Sequence, residues 1–143
     1  EEARLLGAWR YSENRTVLHR DTSWLPSTRR AWASWNYRHE PSVPKTHPAT
    51  VTYYMNHLQR LDARAHYCVT LNPWKPVAAP EVVAEMVYHH PMYTFESMAT
   101  QPELPSLNGR RKTYFCGAYF GYGFHEDGTR SAVETARHFG IEL

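Results

Sequence analysis

Hydrophobic and polar positions alternate along this chain in short runs that proline separates. Residues 16–19 (Thr-Val-Leu-His) read as a strand, and so do residues 31–37, where Trp35 and Tyr37 share a face. Residues 49–55 and 66–71 are the richest in β-branched and aromatic side chains and predict the clearest strands. Residues 56–63 between them predict a short helix or turn, which makes the pair antiparallel. Residues 82–93 carry two patterns: a Val-, Tyr-rich end that favours strand, and Glu81 to Met86, which could be helical. Phe95 to Gln101 predicts a helical turn. Three loops follow from Pro41, Pro44 and Pro48, from Pro73, Pro76 and Pro80, and from Pro102 and Pro105. Residues 112–118 predict a strand that ends at Gly117, followed by a glycine- and aromatic-rich loop. Ala132, Val133, Ala136 and Phe139 then stand at helical spacing, with Glu126 and Asp127 at the helix start and Gly140 at its stop. The chain is expected to be α+β, with a mixed, largely antiparallel sheet and a terminal strand, glycine loop and helix.

Composition narrows the function classes. One residue in seven of the 143 is aromatic and the net charge is +2, which fits a folded chain rather than a disordered one. No apolar run approaches the roughly 18–20 residues of a membrane-crossing helix. The basic residues are scattered and the charge is small, so no nucleic-acid footprint is present. Cys68 and Cys116 each lie in an apolar run and read as buried structural thiols, which favours a reducing, cytoplasmic setting. No export signal opens the sequence. The nine histidines form no zinc spacing: His89 and His90 are adjacent and point apart on a strand, and no Cys–His box occurs. A serine hydrolase has no G-x-S-x-G behind it. Taken by itself, a glycine loop between a strand and a helix brings backbone N–H groups close to an anion or a cofactor edge, or simply makes a tight turn.

Several strings in order carry a family resemblance. They are Leu18-His19-Arg20-Asp21 with Leu25-Pro26, Ala31-Trp32-Ala33-Ser34-Trp35-Asn36-Tyr37, residues 51–59, Val69-Thr70-Leu71-Asn72-Pro73, His90-Pro91, and Phe115-Cys116-Gly117-Ala118-Tyr119 with residues 121–128. Over nearly its whole length the chain resembles the C-terminal third of the predicted NAD/FAD-binding proteins of the flavin-containing amine oxidase and phytoene desaturase superfamily. The branch is the one found beside, or fused to, cyclopropane-fatty-acid synthases.

The resemblance implies the C-terminal portion of an FAD-dependent oxidoreductase that removes hydride from a C–N or C–C bond, with a lipid-type substrate favoured. The family's Rossmann G-x-G-x-x-G does not occur here, so the chain alone is expected to be inactive. Residues 1–111 then correspond to the substrate-domain sheet and 112–143 to the segment that returns to the FAD domain. Gly117 and Ala118 match the strand end, Gly123 the turn and Phe124 the aromatic that faces the flavin, while His125, Glu126, Asp127 and Gly128 occupy the helix start. The acid that usually follows the first glycine is Ala118 here. Trp35, Tyr37 and Tyr53 are the substrate-facing candidates, and no catalytic or metal-ligating residue is assigned. The implied partners are a small, lipid-type molecule and the N-terminal FAD-binding part, and the location is cytoplasmic or peripheral to a membrane. A sheet cut from its partner would expose an apolar patch and self-associate. The alternative reading is a non-enzymatic domain whose aromatic sheet face binds an apolar ligand or a protein.

Overall fold

The structure, a computed structural model, describes residues 1–142. It is α+β, and its contacts divide the chain into two units: Glu13–His89, and a second made of Glu1–Ser12 together with His90–Leu143. This division follows packing, whereas the sequence division at 111/112 follows expected function.

The Glu13–His89 unit is built on a five-stranded antiparallel sheet. Its strands are β1 (Tyr11–His19), β2 (Trp35–Arg38), β3 (Thr50–Tyr54), β4 (Cys68–Leu71) and β5 (Val82–Pro91), in the order β2-β3-β4-β1-β5. The register sets Asn36 beside Thr52, Thr52 beside Thr70, and Thr70 beside Val17. These residues therefore share one face, with Tyr54, Cys68 and His19 in the next row. That face is covered by a 3-10 turn at Thr22–Trp24 and by the proline loop after β4. Val17, Trp24 and Val77 form its buried centre, with Trp74 and Val82 against them. Leu25, Tyr54 and Cys68 form a second cluster under Trp32. The opposite face carries Trp35, Tyr53 and Val69, and Tyr37, Val51 and Leu71, at matching registers. A four-residue helix, α2 (Met55–Leu58), joins β3 toward β4, as the sequence predicts.

Two expectations resolve in this unit. Val82–Pro91 is strand rather than helix, with half-buried and exposed positions alternating at period two from Val82 to Val87, and residues 92–93 lie beyond the strand. The run from 31 to 37 is strand only from Trp35, because Asn36 folds back to accept from Ala33 N and to donate to Ala33 O, which makes a bend before β2.

The other unit is helical. It holds α1 (Glu2–Gly7), α3 (Phe95–Thr100), a 3-10 helix at Gln101–Leu107, and α4 (His125–Arg137). Thr94 caps α3: its hydroxyl accepts from Ser97 N at 3.1 Å while Ser97 Oγ accepts from Thr94 N at 2.9 Å. The third predicted loop is therefore helical. Pro102 falls in a first turn, where its missing N–H costs nothing. Leu5, Trp9, Leu104 and Leu107 form the core, with Phe115, Tyr119 and Phe120 packed on it. No helix among the described residues is long and apolar enough to cross a membrane.

Residues 112–118 correct the sequence reading. A 3-10 turn closes at Lys112, Thr113 is extended, and residues 113–116 belong to no strand among the described residues. Side chains hold this segment instead. Phe115 N donates to Asn108 Oδ1 at 2.7 Å, and Gly117 N donates to Ser131 Oγ at 2.9 Å. The β propensity of Tyr114, Phe115 and Cys116 favours an extended chain, but a strand also needs a neighbour. The cysteine reading splits as well. Cys68 is buried, and burial pushes its thiol up to about 12, whereas Cys116 is exposed on this segment.

Candidate functional site

The glycine loop is rigidly held within its unit. A 3-10 turn at Ala118–Phe120 starts at Gly117, and the chain reaches α4 through Gly121, Tyr122 and Gly123. Gln101 Nε2 ties the turn down by donating to Tyr119 O at 3.0 Å and to Gly121 O at 2.6 Å. Ser131, buried on α4, accepts from Gly117 N and donates to Gly128 O at 2.8 Å. Gly121 is packed tightly against the start of α4: a Cβ there would collide with the Asp127 carboxylate, whereas one at Gly128 would meet Ala118 only at ordinary contact, 3.6 Å from its N. Gly123 has φ +91°, and a Cβ would meet the Tyr93 hydroxyl at 2.8 Å. That hydroxyl in turn donates to Ala118 O at 3.2 Å.

Asp127 organises the start of α4. Its Oδ2 accepts from Tyr122 N at 2.9 Å and Phe124 N at 3.1 Å, and its Oδ1 accepts from Arg130 at 2.6 Å. The Phe124 N–H foremost, then the Tyr122 N–H and the Arg130 charge, hold its carboxyl below the ordinary carboxylate range. The residue is only 5% exposed, so Asp127 shapes the loop rather than facing outward. Phe124 and Tyr122 do face outward, at 60% and 77% exposure. His125 and Glu126 supply the first helical amides, which point out of the helix start at its positive end. The helix begins at His125, earlier than the apolar spacing alone indicated, because Glu126, Asp127 and Gly128 form its first turn. Asp127→Ala is expected to free the Tyr122 and Phe124 amides, read as faster hydrogen exchange at both while the Leu5 and Leu104 amides stay protected. Unchanged exchange at Tyr122 would remove Asp127 from this role.

The sequence candidates in the sheet unit fall on its aromatic face. Trp35 and Tyr53 are opposite one another, with ring centroids 6.0 Å apart, and Trp35 and Tyr37 are well exposed. On the same face Leu18, Met55, Leu61, Val69 and Met86 line a groove of about 480 Å³. A larger cleft of about 800 Å³ was not found by sequence reasoning. Asp21, Leu25, Pro26, Trp32, Asn36 and Tyr37 are among its lining residues, drawn from two of the strings that carry the family resemblance. Those strings lie only a few residues apart along the chain, and the turn at Thr22–Trp24 and the bend at Asn36 fold them around one cleft. At its edge the Arg38 guanidinium donates to Ser23 O at 3.1 Å and lies 5.1 Å from the Trp74 ring centroid.

Beneath the covered face runs a buried polar chain. Asn36 Nδ2 donates to Thr52 O, the Thr52 and Thr70 hydroxyls bond at 2.9 Å, and Thr70 Oγ1 bonds His19 Nε2 at 2.8 Å. His19 Nδ1 and Trp24 Nε1 are buried without a hydrogen-bond partner among the described residues. Burial pushes the His19 imidazole below its ordinary value, against the pull of the nearby Asp21 charge. No group of three or more His, Cys, Asp or Glu side chains among the described residues could hold a metal ion.

Comparison with known proteins adds no relative: no family model matches the chain, and no curated protein matches it.

Proposed function

We propose that this chain is the C-terminal part of an FAD-dependent oxidoreductase, in which residues 117–128 cap the flavin and the sheet unit binds a lipid-type substrate. One observation carries the reading. A loop fixed by Gln101, Ser131 and Asp127 delivers the exposed Phe124 ring to the start of a 13-residue helix. The residues there fit the pyrimidine edge of a flavin: the His125 and Glu126 amides offer donors, the helix dipole favours negative charge, and Phe124 offers an aromatic surface beside them. The flavin, when bound, would accept the hydride, and the protein would position and shield it. Gly117 and Gly123 act by leaving the backbone room at positive φ, and Asp127 acts by holding the loop. The apolar groove beside Leu18 and Val69 supports an apolar substrate.

The test is flavin retention by a chain extended upstream to include a G-x-G-x-x-G segment, with the 143 residues as control. A yellow long form and a colourless short form are expected. Gly123→Val, which forces a β-branched residue to φ +91° against Tyr93, is expected to weaken flavin retention roughly tenfold or more while the sheet melts unchanged. A colourless long form would overturn the proposal. The exposed Trp35 and Tyr37 then favour the second reading, a domain that binds an apolar ligand or protein on its aromatic face.

A further inference from the structure

We infer that the open edge of β5 is a self-recognition surface, on which a second copy of this chain adds its own β5 antiparallel to the first. The inference is independent of the flavin reading.

β5 ends the strand order, and it is ten residues long, the longest of the five strands. Its edge lacks the usual protections against pairing: there is no lysine in it, and its one proline is the last residue, Pro91. Val83, Val87 and Tyr88 are about half exposed. The backbone direction is fixed by the partner side. Met92 N donates to Arg10 O, and Ser12 Oγ donates to His90 O, so over the C-terminal half of β5 the even-numbered residues turn toward β1; the alternation shifts near the other end, where Arg20 N donates to Glu81 O. By alternation Glu85, Val87 and His89 turn theirs to the open edge.

Charge then selects the occupant and the register. When two β5 strands run antiparallel with Val87 facing Val87 on a two-fold axis, Glu85 of each copy lies directly across from His89 of the other. Met86 of each lies across from Tyr88 on the other face. Slipping the pair by two alternations one way sets Glu85 against Glu85, and the other way sets His89 against His89. The strand is thus complementary to itself in one register, as a two-fold interface requires. The neighbouring charges are compatible with it. On β1, Arg15 pairs with Glu85 at 2.9 Å and Glu13 lies 3.8 Å from His89, so each copy brings a row of alternating acidic and hydrogen-bonding side chains to the seam. Backbone hydrogen bonds and the burial of Val87 and Tyr88 supply the affinity, and the Glu85–His89 pairs fix the register.

Sedimentation velocity over a concentration series tests this on the 143-residue chain. The expected result is a reversible monomer–dimer equilibrium. Val87→Pro removes an amide that faces the open edge and leaves the ladder to β1 intact, so it is expected to give a monomer with an unchanged thermal midpoint. Glu85→Lys removes the acid that faces His89, and His89→Glu sets two carboxylates against each other; each alone is expected to weaken association roughly tenfold, and the double variant E85K/H89E is expected to restore it. A wild-type chain that stays monomeric throughout, or a V87P chain that still dimerises, overturns the inference. A double variant no tighter than its parents overturns the register.

Discussion

Trp24→Ala is expected to destabilise the sheet unit by about 3–5 kcal/mol, the range for emptying a large aromatic site in a core. The ring is 2% exposed and lies between Val17 and Val77. The Trp74 ring packs 4.6 Å from it centroid to centroid, and the Lys75 ammonium sits 5.5 Å from its centre. Two separate loops meet the sheet through this one side chain, so the cavity left by alanine cannot close without moving both. Trp24→Phe should behave differently. It keeps most of the packing and removes an indole N–H that has no acceptor among the described residues. Its cost is expected to stay within about 1–2 kcal/mol. Urea unfolding followed by far-UV circular dichroism measures both. An alanine variant as stable as the phenylalanine one would show that the turn at Thr22–Trp24 does not anchor the sheet.

Acid should weaken the same unit through His19, and Thr70→Val should weaken it at any pH. The Thr70 hydroxyl is the middle of a buried chain, with the Thr52 hydroxyl on one side and His19 Nε2 on the other. Valine matches its shape but removes both bonds and leaves the imidazole with neither ring nitrogen paired, at a cost of about 2–3 kcal/mol. Thr70→Ser should recover most of that. The pH effect has a definite sign. Burial lowers the folded-state pKa of His19 below the ordinary imidazole value of about 6.5. The unfolded chain therefore binds the proton first. Stability is full above that value and falls as pH drops from it toward the lowered folded value. Comparing wild type with His19→Gln at about pH 7 and about pH 5 isolates this contribution from the other eight histidines. Equal acid sensitivity in the two proteins would exclude His19 as its source.

How much of the fold could be read in advance depended on whether neighbours or spacing decided the outcome. β3 and β4 were legible because alternating Thr, Val and Tyr positions meet across one antiparallel pair, where local pattern and tertiary partner agree. α4 was legible from spacing. Residues 112–118 were not, since propensity specifies an extended backbone but not the strand beside it. Trp35 and Tyr37 were correctly assigned to one face, but which face the loops would cover could not be read. Asp127 looked like a ligand-facing acid at a helix start, and only the coordinates reveal the Tyr122 and Phe124 amides it holds. The cleft around Trp32 and Asn36 is formed within residues 21–38, but the bends that shape it follow from side-chain bonds such as those of Asn36 and leave no periodic pattern.

The interleaving of the two units sets an order for synthesis. Glu13–His89 is a continuous segment, so every residue of the sheet unit has left the ribosome before most of the helical unit has been made. The helical unit draws Leu5 and Trp9 from one end of the chain and Leu104 and Leu107 from the other. Its first residues must wait, unpaired, while the sheet emerges behind them. A folded sheet holds residues 12 and 90 close, as the Ser12–His90 bond indicates, and so turns a long closure into a short one. The inserted unit thereby acts as a clasp for the unit that encloses it.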